Sequence, residues 1–497
     1  MLRRLVLSAL LFPIVAGAQS QQEFAARRAA IVGPLSDGVL VALGAHEPAQ
    51  DYVGFVQSPS FYYLTGFKEP DAALVVVKQG GQVVSSTMFV QPRLPAREVW
   101  TGARTGVEGI ATLTGMKGRD VADLPKVLDS LAGAGVPFSV VGDISTSETT
   151  PNGQANTLLV PRSPDDQVFE RLQAAHPGLK VVAVEDAVKA ARGKKSAVEQ
   201  KYIKEAVDIT VKAQKEAMAA MEPGMNEFEI QGLIEYTFRR NGADRPLFST
   251  IVGSGPNSTT LHYGLDDRFI EPNDVVVMDI GASYRGYAAD VTRTVPASGK
   301  FSAPQRAVYE IVRAAQAAGE RQAKLGAKAR LMSDSATAVL SAGLTKLGLI
   351  ESPTATYDCG VGANARQCPQ YRMYYMHGLG HGIGLEVHDP DQYYRTTVIE
   401  PGSAFTIEPG IYVREHVLEE MPDTPRNKEI AAKLRAAVNT YKNIGVRIED
   451  DYLATDKGVE WISRAPREID EVEAAMRVPY TGPAKRDRAQ VERYRTP

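Results

Sequence analysis

The chain has 497 residues, 44% of them hydrophobic and 23% charged, with 56 Lys and Arg against 59 Asp and Glu. That length exceeds what a single core usually serves, so more than one domain is expected. The basic residues are scattered and nearly balanced by acids, which excludes the cationic footprint a phosphate backbone requires; nucleic acid is not an expected partner.

At the start, Arg3 and Arg4 precede an apolar run over residues 5–15 that closes on Ala16-Gly17-Ala18, the charged, apolar, small-residue order of an export signal. The run is too short to cross a bilayer. Residues 1–18 are read as a signal peptide, which sends the mature chain, from about Gln19, to the periplasm or the exterior. No later stretch is long and uncharged enough to span a membrane. The two cysteines, Cys359 and Cys368, lie nine positions apart, and an oxidising compartment favours a local disulfide between them.

Residues 21–190 mix short β-like runs at 73–77, 83–90 and 138–141 with helical segments and turn-rich joints, the pattern of an α/β domain. The polar run Arg192-Gly193-Lys194-Lys195 marks the boundary, and Ser196 caps a long helix reaching toward Met221. A strand-rich block at 248–296 follows. Ser302-Ala303-Pro304-Gln305 is a capping box opening a helix to about Leu325, a further helix fits 333–347, and a second strand-rich block runs from 376 to 463. The order helices, strands, helices, strands predicts two similar halves, without a strict sequence repeat. Residues 466–497 form a charged tail.

The chemistry lies in the second part. Residues 275–282, VVVMDIGA, form a β-branched run with one acid, Asp279, and burying a lone carboxylate is costly unless it is paired or bound to metal. The chain turns at Ser283-Tyr284-Arg285-Gly286 and returns as YAADVTRTV, which places Asp290 opposite Asp279 across a hairpin. A divalent cation would relieve their repulsion; neutralisation by Arg285 or Arg293 is the plainer alternative. AFTIEPGIYV sets Glu408 in a second apolar strand, and GVRIEDDYL sets Glu449 in a third, with Arg447 two residues earlier on the same face. Between them, His377, His381 and His388 fall within twelve positions of a glycine-rich segment. Four carboxylates and one imidazole suit Mn²⁺, Co²⁺ or Zn²⁺.

In these motifs the sequence resembles the pita-bread metallopeptidase family, which includes methionine aminopeptidase, aminopeptidase P and prolidase. The resemblance covers about residues 195–465 and implies an α+β fold. A C-terminal pita-bread (creatinase/aminopeptidase) catalytic domain would follow an α/β creatinase-like N-terminal domain. It further implies two divalent ions, Mn²⁺ first, held by Asp279, Asp290, His381, Glu408 and Glu449, with Asp290 and Glu449 bridging. Creatinase and other relatives without the metal site lack such a ligand set. FYYLTGFKEP at 61–70 and REVWTGAR at 97–104 are similar to the N-terminal domain of aminopeptidase P, which points to that branch.

The implied activity is hydrolysis of the bond before a proline in second position by a hydroxide bridging the metals, with Glu408 moving the proton. His262, in TTLHYG, and His388 would bond the scissile carbonyl, His377 would bound the proline pocket, and Arg447 would orient a ligand carboxylate. A homo-oligomer, dimer or tetramer, is expected. The second reading is a prolidase acting on Xaa-Pro dipeptides, with Arg414 or Arg426 of the 414–443 insertion supplying a cation for the dipeptide carboxylate. A noncatalytic proline-peptide binding protein is the third.

Overall fold

A computed structural model describes residues 19–49, 54–142, 163–390 and 398–483. The segment read as a signal peptide lies outside them. The chain divides into two compact units, Met1–Ala191 and Arg192–Pro497. Among the described residues no helix is long and apolar enough to cross a membrane.

In the first unit the central strand Gly38–Leu43 is buried throughout and is flanked by Ala73–Gln79, antiparallel, and Phe138–Val141, parallel. Among the described residues the sheet has six strands, its edges being Lys117–Asp120 and Val181–Ala183. Leu128 and Ala132 of one helix and Phe169 of another pack on Val39, Val41, Val75 and Val140, so alternate strand residues feed one apolar core.

The second unit opens with the helix Ala197–Ala220, whose capping box joins Ser196 and Glu199, and a second box joins Ser302 and Gln305 before the helix Ala303–Gln322. Each helix is followed by another, Glu227–Arg240 and Ala329–Lys346, and then by strands. The expected two halves are present, and their hydrogen bonds repeat. Ile270 accepts from Gly224 and donates to Met225, while Ile399 accepts from Gly326 and donates to Ala327. Both isoleucines precede a Glu-Pro pair whose turn closes on itself, Asp274 N–H to Glu271 O and Ser403 N–H to Glu400 O. Eight residues after each Glu stands an acid, Asp279 in one half and Glu408 in the other.

Beneath those acids, buried Gln214 donates to the carbonyls of Met278 and Val291, and buried Gln316 to those of Ile407 and Ile448. Two long helices thereby tie down the strand pair that carries the acids in each half. Each apolar side chain buried along Val275–Ile280 contributes about 1.5–3 kcal/mol, which sets the stability that supports the charged site.

Three features differ from the sequence expectations. The block 376–463 is not all strand: the helix Pro425–Tyr441 interrupts it, with Ile430, Leu434 and Val438 buried at four-residue spacing. A hairpin of Thr356–Gly360 with Arg366–Pro369 precedes that block, and it carries the Cys359–Cys368 disulfide, Cα atoms 5.7 Å apart. Within the stretch read as a charged tail, Ile469–Ala475 forms a helix with Val472 buried, and Glu473 accepts the Phe301 N–H.

Candidate metal centre

Asp279 sits in the middle strand of three, Val275–Ile280, between Ile251–Ser254 and Val291–Pro296. The expectation that Asp290 lies opposite it requires correction. The hairpin turns on two residues, Arg285 and Gly286, both at positive φ (+52° and +88°), rather than symmetrically about all four residues from Ser283 to Gly286. Tyr284 then pairs with Tyr287 and Asp279 with Thr292. Asp290 is the diagonal neighbour, two residues away on the same face, still within reach of a shared ion.

The glutamates do face each other. Ile407 pairs with Asp450 and Gly410 with Arg447, a register that sets Glu408 against Glu449. Pro409 has no N–H to give, so its pair keeps only the bond from the Ile448 N–H to the Pro409 carbonyl, 3.4 Å, and the Ile448 carbonyl accepts from Gln316 instead. Backbone bonds fix both, Glu408 N–H to Leu379 O at 2.7 Å and Glu449 N–H to Thr292 O at 3.1 Å.

The fifth donor comes from the glycine-rich loop. His381 is anchored by paired bonds to Thr406, its N–H to the hydroxyl and its carbonyl from the Thr406 N–H. Its Nδ1 lies 3.0 Å from the Gly382 carbonyl, which makes Nδ1 the protonated nitrogen and leaves a lone pair on Nε2. That lone pair looks at three carboxylates, Asp290 at 3.4 Å, Glu408 at 3.4 Å and Glu449 at 3.7 Å. Ligand atoms of Asp290, His381 and Glu449 all lie within 4.8 Å of one another.

Oδ1 of Asp279, Oδ1 of Asp290 and Oε1 of Glu449 are buried and receive no hydrogen bond. Burial, and after it mutual repulsion, drives the carboxyl pKa values up, well above the usual range for Asp290 and Glu408 and to about 8 for Glu449. Burial likewise pushes His381 down to about 4 and His377 to about 3. Acids that resist ionising and an imidazole that resists protonation share one need, a cation among them. The arginines offered as the alternative are placed elsewhere: Arg293 is committed to Asp450 at 2.7 Å, and Arg285 lies over the rings of Tyr202 and Tyr284.

Around the five donors the other sequence candidates are distributed unevenly. Arg447 donates to Asp279, to Thr292 Oγ1, to the Tyr412 hydroxyl at 2.9 Å and to the Leu261 carbonyl. The last bond brings in the loop of His262, an exposed residue. His377 accepts from the Tyr412 hydroxyl at Nε2, 2.8 Å, and Nδ1 lies 2.7 Å from Gly378 O and 3.6 Å from Glu408. His388 is exposed, its ring edge-on to His381 with centroids 4.3 Å apart.

Sequence reasoning missed Thr292, Tyr412 and Asp451. Thr292 donates to Glu449 at 2.7 Å, and buried Asp451 accepts the Asp290 N–H at 3.0 Å. Thr292 and Asp451 each stand two residues after a predicted ligand, and Tyr412 four after Glu408, so the period-two rule that located the acids also marks their supports.

Comparison with known proteins adds to this geometry. Residues 201–456 match the family model described as Metallopeptidase family M24, and residues 24–136 match that of the Aminopeptidase P, N-terminal domain. An Escherichia coli (strain K12) protein named Xaa-Pro aminopeptidase is 30% identical over 92% of this chain and 98% of its own. A Homo sapiens Xaa-Pro dipeptidase is also 30% identical, over 90% and 91%. The solved structure of Pseudomonas aeruginosa aminopeptidase PepP superposes with a TM-score of 0.75 at 28% identity, covering 93% of this chain and 99% of that one.

Proposed function

Because the chain belongs to metallopeptidase family M24, we propose that it is a metal-dependent Xaa-Pro aminopeptidase, releasing the N-terminal residue of peptides whose second residue is proline. The observation that carries this reading is the His381 Nε2 lone pair facing the carboxylates of Asp290, Glu408 and Glu449, while Asp279, Asp290 and Glu449 each keep a buried oxygen that receives no hydrogen bond. Asp279, Asp290, His381, Glu408 and Glu449 would hold two divalent ions, and the predominance of carboxylate oxygen favours Mn²⁺ over Zn²⁺ or Co²⁺. Such ions, when bound, polarise the scissile carbonyl and acidify a water.

The chain's own residues do the rest. Water adds its oxygen to the carbonyl carbon, the bond to the proline nitrogen breaks, and Glu408 carries the water proton to that nitrogen. His262 and His388, both exposed, would bond the carbonyl oxygen as it gains charge. His377, held between Tyr412 and Gly378, borders the proline ring. Arg447 donates to Asp279 and holds that carboxylate oriented.

An aminopeptidase is favoured over a dipeptidase because both candidate arginines are engaged. Arg414 pairs with Glu420 at 2.8 Å, and Arg426 bonds the Thr356 carbonyl and hydroxyl. Assayed with Mn²⁺, the full chain is expected to cleave Xaa-Pro-Yaa tripeptides with kcat/KM at least about tenfold above that for Xaa-Pro dipeptides, a difference of roughly 1.4 kcal/mol in transition-state binding. Cleavage confined to dipeptides reverses the assignment, and a protein that binds no metal and cleaves neither supports the binding-protein reading.

We also propose export and self-association. Mass spectrometry of the mature protein should find its N-terminus near Gln19; retention of Met1 in an exported product counts against a cleaved signal. Self-association is supported by the helix Pro95–Thr101, which buries none of its side chains and leaves Val99 82% and Trp100 88% exposed. Light scattering should give a dimer or tetramer that Trp100→Glu weakens. A wild-type monomer at micromolar concentration removes the proposal.

A further inference from the structure

A second buried charge cluster lies beside the metal centre, contributed by residues some 190 positions apart in sequence. Asp389 is almost fully enclosed. Lys195 Nζ reaches one of its oxygens at 2.6 Å and Arg192 Nη2 the other at 2.6 Å, while Arg192 also contacts Glu386 at 2.5 Å. Two cations balance two anions, and although burial disfavours its charge, Asp389 is kept ionised by Lys195 and Arg192. Lys195 is itself fixed at the backbone, where its N–H donates to Gly402 O and its carbonyl accepts from Gln200.

What the cluster holds is the loop between the two histidines. The Asp389 N–H donates to the Gly382 carbonyl at 2.9 Å, the same carbonyl that lies 3.0 Å from His381 Nδ1 and so selects the tautomer presenting Nε2 to the carboxylates. Gly384 packs flat on the ion pair; a Cβ there would stand 2.5 Å from the Asp389 carboxylate and 2.9 Å from Lys195 Cε. The Gly384 carbonyl accepts from Ala288, two residues before Asp290. Next to Asp389 in the chain, His388 faces the opposite way and meets the His381 ring.

We propose that Asp389, gripped by Lys195 and Arg192, is a positioning residue that sets His381 and His388 against the metal-binding carboxylates. Its pull reaches His381 through the Gly382 carbonyl, His388 through the adjoining peptide, and Asp290 through Gly384 and Ala288. With side chains 2% exposed for Arg192 and 1% for Lys195 and Asp389, none of the three is open to a substrate. Stability alone does not explain the arrangement, because an apolar cluster at this place would serve a merely structural junction as well, whereas the gripped carboxylate also takes the Glu386 N–H at 3.2 Å and so fixes the backbone whose N–H bonds Gly382. The inference rests on the metal-dependent reading above.

The test uses the full chain and Mn²⁺ alone as the probe, with chelator competition for affinity and Xaa-Pro-Yaa hydrolysis for turnover. Lys195→Met is expected to weaken Mn²⁺ binding about 10–100-fold, the range for loss of an outer partner of a metal ligand, and to lower kcat similarly at saturating metal while KM stays within about threefold. Lys195→Arg, which keeps the charge, should recover most of both. Leu340→Ala, a remote core truncation in the helix Ala329–Lys346, should lower the melting temperature at least as much yet leave metal affinity unchanged. Should Lys195→Met fail to fold, Lys195→Gln, which can still donate to Asp389, takes its place with the same criterion. A folded Lys195 variant with Mn²⁺ affinity and kcat within twofold of wild type overturns the clamp, as does an equal loss in Leu340→Ala. Wild-type protein that binds no Mn²⁺ overturns the metal reading and the clamp together.

Discussion

Glu449→Gln is expected to reduce kcat/KM by about a thousandfold or more, beyond the 10–100-fold that loss of an outer partner costs, because it removes a donor common to both proposed metal sites. The fold should not suffer. Glutamine still offers an oxygen to the Thr292 hydroxyl, which donates to Glu449 at 2.7 Å, and it discards a buried acid whose neighbours Asp279 and Asp290 repel its charge. The metal-free variant should therefore melt at or above the metal-free wild type, whereas Mn²⁺, which raises the wild-type melting temperature, should leave the variant nearly unmoved. Paired melts in chelator and in Mn²⁺, with a tripeptide assay, read both effects. A variant active within tenfold of wild type, or one that unfolds at lower temperature in chelator, contradicts the assignment of Glu449 as a ligand that is costly without its ion.

Much of this centre is legible in the sequence, and the illegible remainder has physical causes. Acids isolated in β-branched runs advertise themselves, since only a compensating charge makes Asp279 tolerable in its strand; Glu408 and Glu449, expected in strands too, instead occupy the two-residue breaks that follow Ala404–Ile407 and Ile444–Arg447. Register was less accessible: nothing in Arg285-Gly286 resembles the Asn-Gly or Asp-Gly pairs that usually mark a two-residue turn, yet Arg285 takes φ +52° there and slides Asp279 from Asp290 to Thr292. The helix Pro425–Tyr441 was overlooked because most of its surface is polar and only Ile430, Leu434 and Val438 show its buried stripe. The relation of the halves hides in eight-residue spacings from Glu271 to Asp279 and from Glu400 to Glu408, not in identity. The grip of Lys195 on Asp389 spans 194 positions, and no local pattern announces a contact of that range.

The same electrostatics predict that the metal-free protein loses stability as pH rises, the reverse of ordinary acid denaturation. For Glu449 the pKa is raised by folding from about 4.5 to about 8, chiefly by burial and then by Asp279, and the values of Asp290 and Glu408 move in the same direction. A raised carboxyl pKa means that the folded state binds more protons than the unfolded one in the window between the two values. Stability then falls with pH, by about 1.4 kcal/mol per pH unit for each proton so held, from near pH 4.5 to near pH 8, and is level below that window. His377 and His381 act in the same window with the opposite sign. Their pKa values are depressed, so the unfolded chain takes up protons that the folded one refuses; this costs stability below about pH 6.5 and relents above it. The carboxyl effect therefore emerges above about pH 6.5, where the histidine contribution fades, and stands clearest toward pH 8. Divalent metal should abolish it, because a bound dication favours the ionised acids and the neutral imidazole alike. Chemical denaturation in chelator at pH 6.5, 7.25 and 8 should show a midpoint that declines more steeply than in the same series with Mn²⁺, where His46, raised to about 10 by Asp165 and Asp71, leaves a residual fall that metal does not remove. A midpoint in chelator that rises over this interval would show that the acids are already neutralised within the protein, leaving no electrostatic reason for the site to take up a metal.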